Sequence, residues 1–204
     1  MSTLWRRIAT EDAGEDYARA YAERFRRLAA RGVDVHGEAA LVAQLLPPPA
    51  RVLDGGCGTG RIAVRLAELG YEVVGSDVDA SMVAVARDDA PHLEWHVADL
   101  AAPEPVTEPV DLVLLAGNVL PLVDRGDLPA VGRHLVRQLA PGGRVLAGFG
   151  LDADHLPGDC PVLDLGLVDT AFSEAGLVST GRWSSWDRDA FTGEGYVVAT
   201  WAAA

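Results

Sequence analysis

Four glycines fall within the six residues Gly55-Gly56-Cys57-Gly58-Thr59-Gly60, directly after Asp54. The apolar pair Val52-Leu53 leads in, and Ile62, Leu66 and Leu69 follow at i, i+4 and i+7, one face of a helix. Strand, glycine-rich turn and helix together bring backbone N–H groups close to a polar ligand. Glycine suits the turn because it accepts positive φ and has no Cβ to block the ligand's approach. Asp54 puts a carboxylate beside the loop, and Arg61 opens the helix. Two registers fit. Gly58-Thr59-Gly60-Arg61-Ile62-Ala63 satisfies the dinucleotide pattern G-x-G-x-x-A, while Asp54, Gly56, Gly58 and Gly60 satisfy D-x-G-x-G-x-G.

More candidate residues follow the ends of later apolar runs. Asp77 closes Tyr71-Glu72-Val73-Val74-Gly75-Ser76, at the spacing from Gly60 where a carboxylate can accept both hydroxyls of a ribose. Asp79 or Ser81 can cap the helix that comes next. Asp99 follows the run Leu93–Val97 and, taken alone, is a turn residue. Gly117 and Asn118 follow Val110–Ala116, a run apolar enough to be buried on both faces. In a doubly wound sheet that strand lies beside the first, so its end faces the ligand cleft. Of the five histidines, His155 in the polar loop 150–160 is placed where a base could reach an acceptor. Asp152, Asp154, His155 and Cys160 mix hard and soft donors without a C-x-x-C or H-x-x-x-H pair, so no metal is expected.

The elements that must position these residues are legible from periodicity. A helix is predicted over 14–31, with Tyr17, Tyr21, Phe25 and Leu28 on one stripe, and a second over 38–46, ended by Pro47-Pro48-Pro49. Pro103, Pro105 and Pro109 make 101–109 a stiff connection. A helix over 128–139 is stopped by Pro141-Gly142-Gly143, and a fifth strand covers 144–149. A short helix over 168–176 and two strands, 177–186 and 194–201, close the chain as a hairpin, with Trp183 and Trp186 packing the sheet.

Five marks in this order (the glycine loop, Asp77, Asp99, Asn118 and the turn Leu139-Ala140-Pro141-Gly142-Gly143) resemble the class I S-adenosylmethionine-dependent methyltransferases over residues 50–201. The resemblance implies an α/β fold: a doubly wound, mostly parallel seven-stranded sheet with helices on both faces and a C-terminal antiparallel hairpin. It implies one domain over 1–204, with an N-terminal helical cap at 1–49 and a core at 50–204. S-adenosylmethionine is the implied cofactor. Asp54, Gly55, Gly56, Gly58, Gly60 and Arg61 would surround its methionine end, Asp77 its ribose, and Val78, Met82, Asp99 and Leu100 its adenine. Gly117 and Asn118 would border the methionine part or the acceptor. Tyr17 and Tyr21 are either core aromatics or phenols of a lid facing the acceptor. Asp54 favours this cofactor, because a carboxylate repels a pyrophosphate and attracts an ammonium and a sulfonium. Two other readings are a cofactor-binding module without catalysis and an NAD(P)-dependent oxidoreductase. The latter lacks a Tyr-x-x-x-Lys pair, since the chain has no lysine.

Composition narrows the partners. A chain of 204 residues can bury a sizeable core without disulfides. Its formal charge of −13 repels nucleic acid phosphates. No run of 18 apolar residues and no apolar leader occurs, and there are only two cysteines, which predicts a cytoplasmic protein off the membrane. The short loops after strands four and five favour a small-molecule acceptor, with the protein a monomer or homodimer.

Overall fold

The computed structural model describes residues 4–14, 16–102 and 106–203. Pro103 and Pro105 of the expected stiff connection lie outside the described residues. Three helices come first: α1 (Leu4–Ala13), α2 (Tyr17–Ala30) and α3 (Gly37–Leu45). Then follow β1 (Arg51–Gly55), α4 (Arg61–Glu68), β2 (Glu72–Asp77), α5 (Ala80–Asp89), β3 (Glu94–Val97) and β4 (Val110–Leu115). The chain finishes with α6 (Leu128–Gln138), β5 (Leu139–Gly150), α7 (Leu165–Glu174), β6 (Leu177–Trp183) and β7 (Tyr196–Ala203).

The seven strands form one sheet in the order β3-β2-β1-β4-β5-β7-β6. The pairs from β3 to β5 are parallel. β7 runs antiparallel to both β5 and β6. Alternation along the strands divides the core between two faces. Leu53, Val113, Val145 and Phe149 pack with Leu128, Val131 and Leu135 of α6 and Phe172 of α7. Val52, Leu112, Leu114 and Leu146 meet Leu41 of α3, Ile62 and Leu66 of α4, and Val83 of α5. Each such side chain contributes roughly 1.5–3 kcal/mol by leaving water. Both faces of β4 are covered, which is why it reads as a continuous apolar run.

The strand order reverses between β1 and β4: β2 lies on one side of the pair and β5 on the other. Ligand clefts of doubly wound sheets open at the carboxyl ends of strands at this position.

Trp95 fixes the glycine loop from below. Its indole lies where a Cβ on Gly60 or Gly75 would stand, at 2.4 and 2.3 Å. Its Nε1 donates to the Ala90 carbonyl at 2.8 Å. Gly60 is therefore required for packing as well as for its φ of +81°.

Several boundaries depart from the sequence expectation. α1 was not anticipated. α6 ends at Gln138 and β5 starts at Leu139, so Pro141-Gly142-Gly143 does not separate them. Leu139 pairs with Val110 and Arg144 with Leu112, so the intervening residues bulge out of the ladder, with Gly142 at φ +80°. α7 begins at Leu165 because the Asp164 carboxylate accepts from the Gly166 amide at 2.6 Å. β6 stops at Trp183, where the Ser184 hydroxyl begins bonding within the turn.

Candidate functional site

A cavity of about 720 Å³ opens over the carboxyl ends of β1, β2 and β4. The loop after β1 forms its floor. The Gly56 and Cys57 amides both donate to the Ser76 carbonyl, at 2.7 and 2.9 Å, which folds the loop back onto β2. Gly56 has φ +72°, and a Cβ there would strike Val119 at 2.5 Å. Gly58 has φ +54°, and its Cβ would meet only Met82 Cε, at 3.8 Å, so a side chain there would project into the cavity.

Two carboxylates flank this loop. Asp77, at the end of β2, is 9% exposed. Its Oδ2 accepts from the Gly58 amide and its Oδ1 from the Asp79 amide, both at 2.8 Å. Each oxygen keeps lone-pair capacity toward the cavity. Burial raises its pKa against those backbone bonds. Asp54, at the end of β1, is 2% exposed, and its Oδ2 has no hydrogen-bond partner among the described residues. Burial pushes its pKa up to about 7, opposed chiefly by Arg61. Asp54 therefore lies buried at the end of β1, at the edge of the cavity, where burial favours the neutral form of its carboxyl.

Of the other sequence candidates, Arg61, Val78, Met82, Asp99, Leu100, Gly117 and Tyr21 also line the cavity. Val78 is exposed, whereas Met82 is buried. Asp99 is exposed, and its Oδ1 accepts from the Ala101 amide at 2.9 Å. Gly117 has φ +75° with open space where a Cβ would be. The Tyr21 ring meets Trp5 edge-on at 5.8 Å, and burial raises the pKa of its phenol.

Five candidates do not line it. Gly55 packs under Leu115 and Leu100, where a Cβ would come within 2.8 Å of Leu115. Gly60 faces Trp95. The Tyr17 hydroxyl donates to Asp79 Oδ2 and lies 2.7 Å from Ser81 Oγ, so it ties α2 to the start of α5 instead of facing an acceptor. Asn118, at φ +68°, accepts from the Gly150 amide at 2.7 Å and donates to the His155 carbonyl at 3.1 Å. Its side chain clamps the loops after β4 and β5. His155 is exposed, with Nδ1 held 2.7 Å from Asp152 Oδ1, and is not positioned as a base in the cavity.

Sequence reasoning missed the opposite wall. Leu4 and Trp5 of α1 supply part of it, and Leu122, Val123 and Arg125 of the β4–α6 connection supply more. The spacing of Trp5, Ile8 and Ala9 was the available signal for an amphipathic α1. Ile8 reaches across to Gly158, where a Cβ would approach it to 2.9 Å.

Residues 52–143 match the methyltransferase domain family. The chain resembles a TehB-like SAM-dependent methyltransferase from Corynebacterium glutamicum, with 31% identity and a TM-score of 0.82, over 92% of this chain and 98% of that one. It belongs to the class I S-adenosylmethionine-dependent methyltransferases, and S-adenosylmethionine is its cofactor. It is 39% identical over 100 residues to trans-aconitate 2-methyltransferase of Azoarcus sp. (strain BH72), covering 48% of this chain and 38% of that protein. Magnesium-protoporphyrin O-methyltransferase of Rhodobacter capsulatus is 40% identical over 58 residues, 26% of each chain. The chain thus spans well under half the length of these curated relatives.

Proposed function

We propose that the protein transfers the methyl group of S-adenosylmethionine to a small-molecule acceptor. The observation that carries this reading is the placement of Asp54 and Asp77 on either side of one glycine loop, both lining one cavity. The Oδ2 of Asp54, without a hydrogen-bond partner among the described residues, suits the ligand's ammonium and, when ionised, disfavours a phosphate beside it. The bare backbone at Gly58 and Gly117 leaves room for a ligand that any side chain would displace.

In this reading Asp77 accepts the ribose hydroxyls on the lone pairs its backbone bonds leave over. Val78 and Leu100 flank the adenine, Met82 supports it and Asp99 accepts from its amine. Residues 1–49 act as a cap over the core at 50–204, with Trp5 and Tyr21 closing the acceptor side. When bound, the sulfonium supplies an activated methyl that passes to an acceptor lone pair as its C–S bond breaks, leaving a thioether. The protein's part is alignment and exclusion of water; holding two reactants at attack distance can supply about 7–11 kcal/mol. That suffices without a base, consistent with the placement of His155 outside the cavity. The net charge of −13 supports a small-molecule acceptor over nucleic acid.

The test is calorimetric titration with S-adenosylmethionine, S-adenosylhomocysteine and NADH, followed by a screen of metabolite extracts for transfer of labelled methyl. Tighter binding of NADH than of either sulfur compound overturns the reading.

A further inference from the structure

Arg61 ends the glycine loop, and residues from three parts of the N-terminal region converge on its guanidinium. Glu38 of α3 grips it in a fork, Nη2 to Oε1 at 2.8 Å and Nη1 to Oε2 at 3.2 Å. The Val35 carbonyl also accepts from Nη1. The Phe25 ring of α2 lies 4.4 Å from its Cζ. The Arg61 and Glu38 side chains are only 18% and 13% exposed. Arg61 thus borders the cavity while its fork is committed to the cap, not to a ligand.

Arg61 and Asp54 line the same cavity, so the charge balance of the Arg61–Glu38 pair bears on Asp54. Arg61 favours the ionised carboxylate, while Glu38 and then Asp77 disfavour it. Tyr21, Tyr196 and His36 share the field of Arg61 and Glu38.

We propose that Glu38 is a positioning residue for the cofactor site: by holding and neutralising Arg61, it sets the charge that Asp54 presents to the cofactor's ammonium. This rests on the assignment of Asp54 to the ammonium. Removing the Glu38 charge leaves Arg61 uncompensated in a partly buried place. The ionised form of Asp54 is then favoured over a wider pH range, while the uncompensated Arg61 charge itself repels a cationic ligand group.

The test compares binding of S-adenosylhomocysteine and adenosine at pH 6 and pH 8, in wild type and in Glu38→Gln. Adenosine lacks the ammonium, so it reports on Asp77 and the fold alone. One titrating carboxylate with a pKa of about 7 makes wild-type affinity for S-adenosylhomocysteine rise about tenfold over this interval. In Glu38→Gln the Asp54 carboxyl becomes more acidic, so the rise should be clearly smaller than in wild type, with adenosine binding retained. Glu38→Asp keeps the charge and should restore much of the wild-type profile. An unchanged tenfold rise in Glu38→Gln overturns the proposal, as does equal loss of both ligands. If Glu38→Gln does not fold, Arg61→Gln tests the same link with opposite sign: the rise must exceed the wild-type value, and a smaller or unchanged rise overturns the proposal. Failure of wild type to bind S-adenosylhomocysteine defeats the methyltransferase reading itself, a separate outcome.

Discussion

The amide of Gly58 donates to Oδ2 of Asp77 at 2.8 Å, so the glycine loop is fastened by the carboxylate at the end of the neighbouring strand. One side chain therefore does two jobs. It shapes the backbone cradle and offers the remaining lone pairs to the cavity.

Asp77→Ala should lose both. Two charge-assisted hydrogen bonds contribute about 3 kcal/mol or more, so affinity for S-adenosylhomocysteine should fall on the order of 100-fold. Calorimetry measures this directly. Wild-type affinity in the variant contradicts the ribose assignment.

Asp54 predicts a trade between stability and binding. Its folded-state pKa, about 7, lies above the ordinary value of 3.8. The folded state therefore holds a proton that the unfolded state releases, and ligand-free stability falls as pH rises from about 4 to about 7. The total is on the order of 4 kcal/mol at most. Asp54→Asn removes this slope, so ligand-free Tm at pH 8 should be higher than wild type while cofactor affinity drops. Melting curves between pH 5 and pH 8, with and without S-adenosylhomocysteine, check both halves. A variant that is both less stable at pH 8 and unimpaired in binding contradicts the account.

Gly58 and Gly60 should fail in different ways. An alanine at Gly60 drives its Cβ into Trp95 and stays at positive φ, costing about 2–4 kcal/mol and lowering Tm by roughly 5–10 °C. Gly58→Ala also stays at positive φ, but its Cβ has room. Its Tm loss should be smaller than that of Gly60→Ala, and the affinity it loses for the cofactor, measured well below its Tm, should be larger. Thermal melts paired with titrations separate the two.

His155→Ala should leave methyl transfer within about threefold of wild type, whereas loss of a general base costs about 10²–10⁴-fold. Asn118→Ala should be worse than His155→Ala, because its amide holds the Gly150 amide and the His155 carbonyl together. Rates from labelled cofactor in the same extract rank the two variants. A collapse of activity in His155→Ala alone restores the base.

The sheet was legible because its strands are covered on both faces, as in Leu112–Leu115, and because glycines and acids punctuate their ends. Asp77 was placed by spacing alone. Burial was not legible: Asp54 reads as a carboxylate beside the loop, yet it is 2% exposed. Asn118 reads as bordering the ligand, and Tyr17 as either a core or a lid aromatic, because their partners, Gly150 and Asp79, are distant in sequence. Trp5 was overlooked because only Trp5, Ile8 and Ala9 mark the apolar stripe of its ten-residue helix.

The most direct measurement is a crystal structure with S-adenosylhomocysteine. It should place the ribose hydroxyls on Asp77, the adenine between Val78 and Leu100, and the ammonium toward Asp54. A ligand bound outside this cavity, or one inside it with its carboxylate turned to Asp54, contradicts the account.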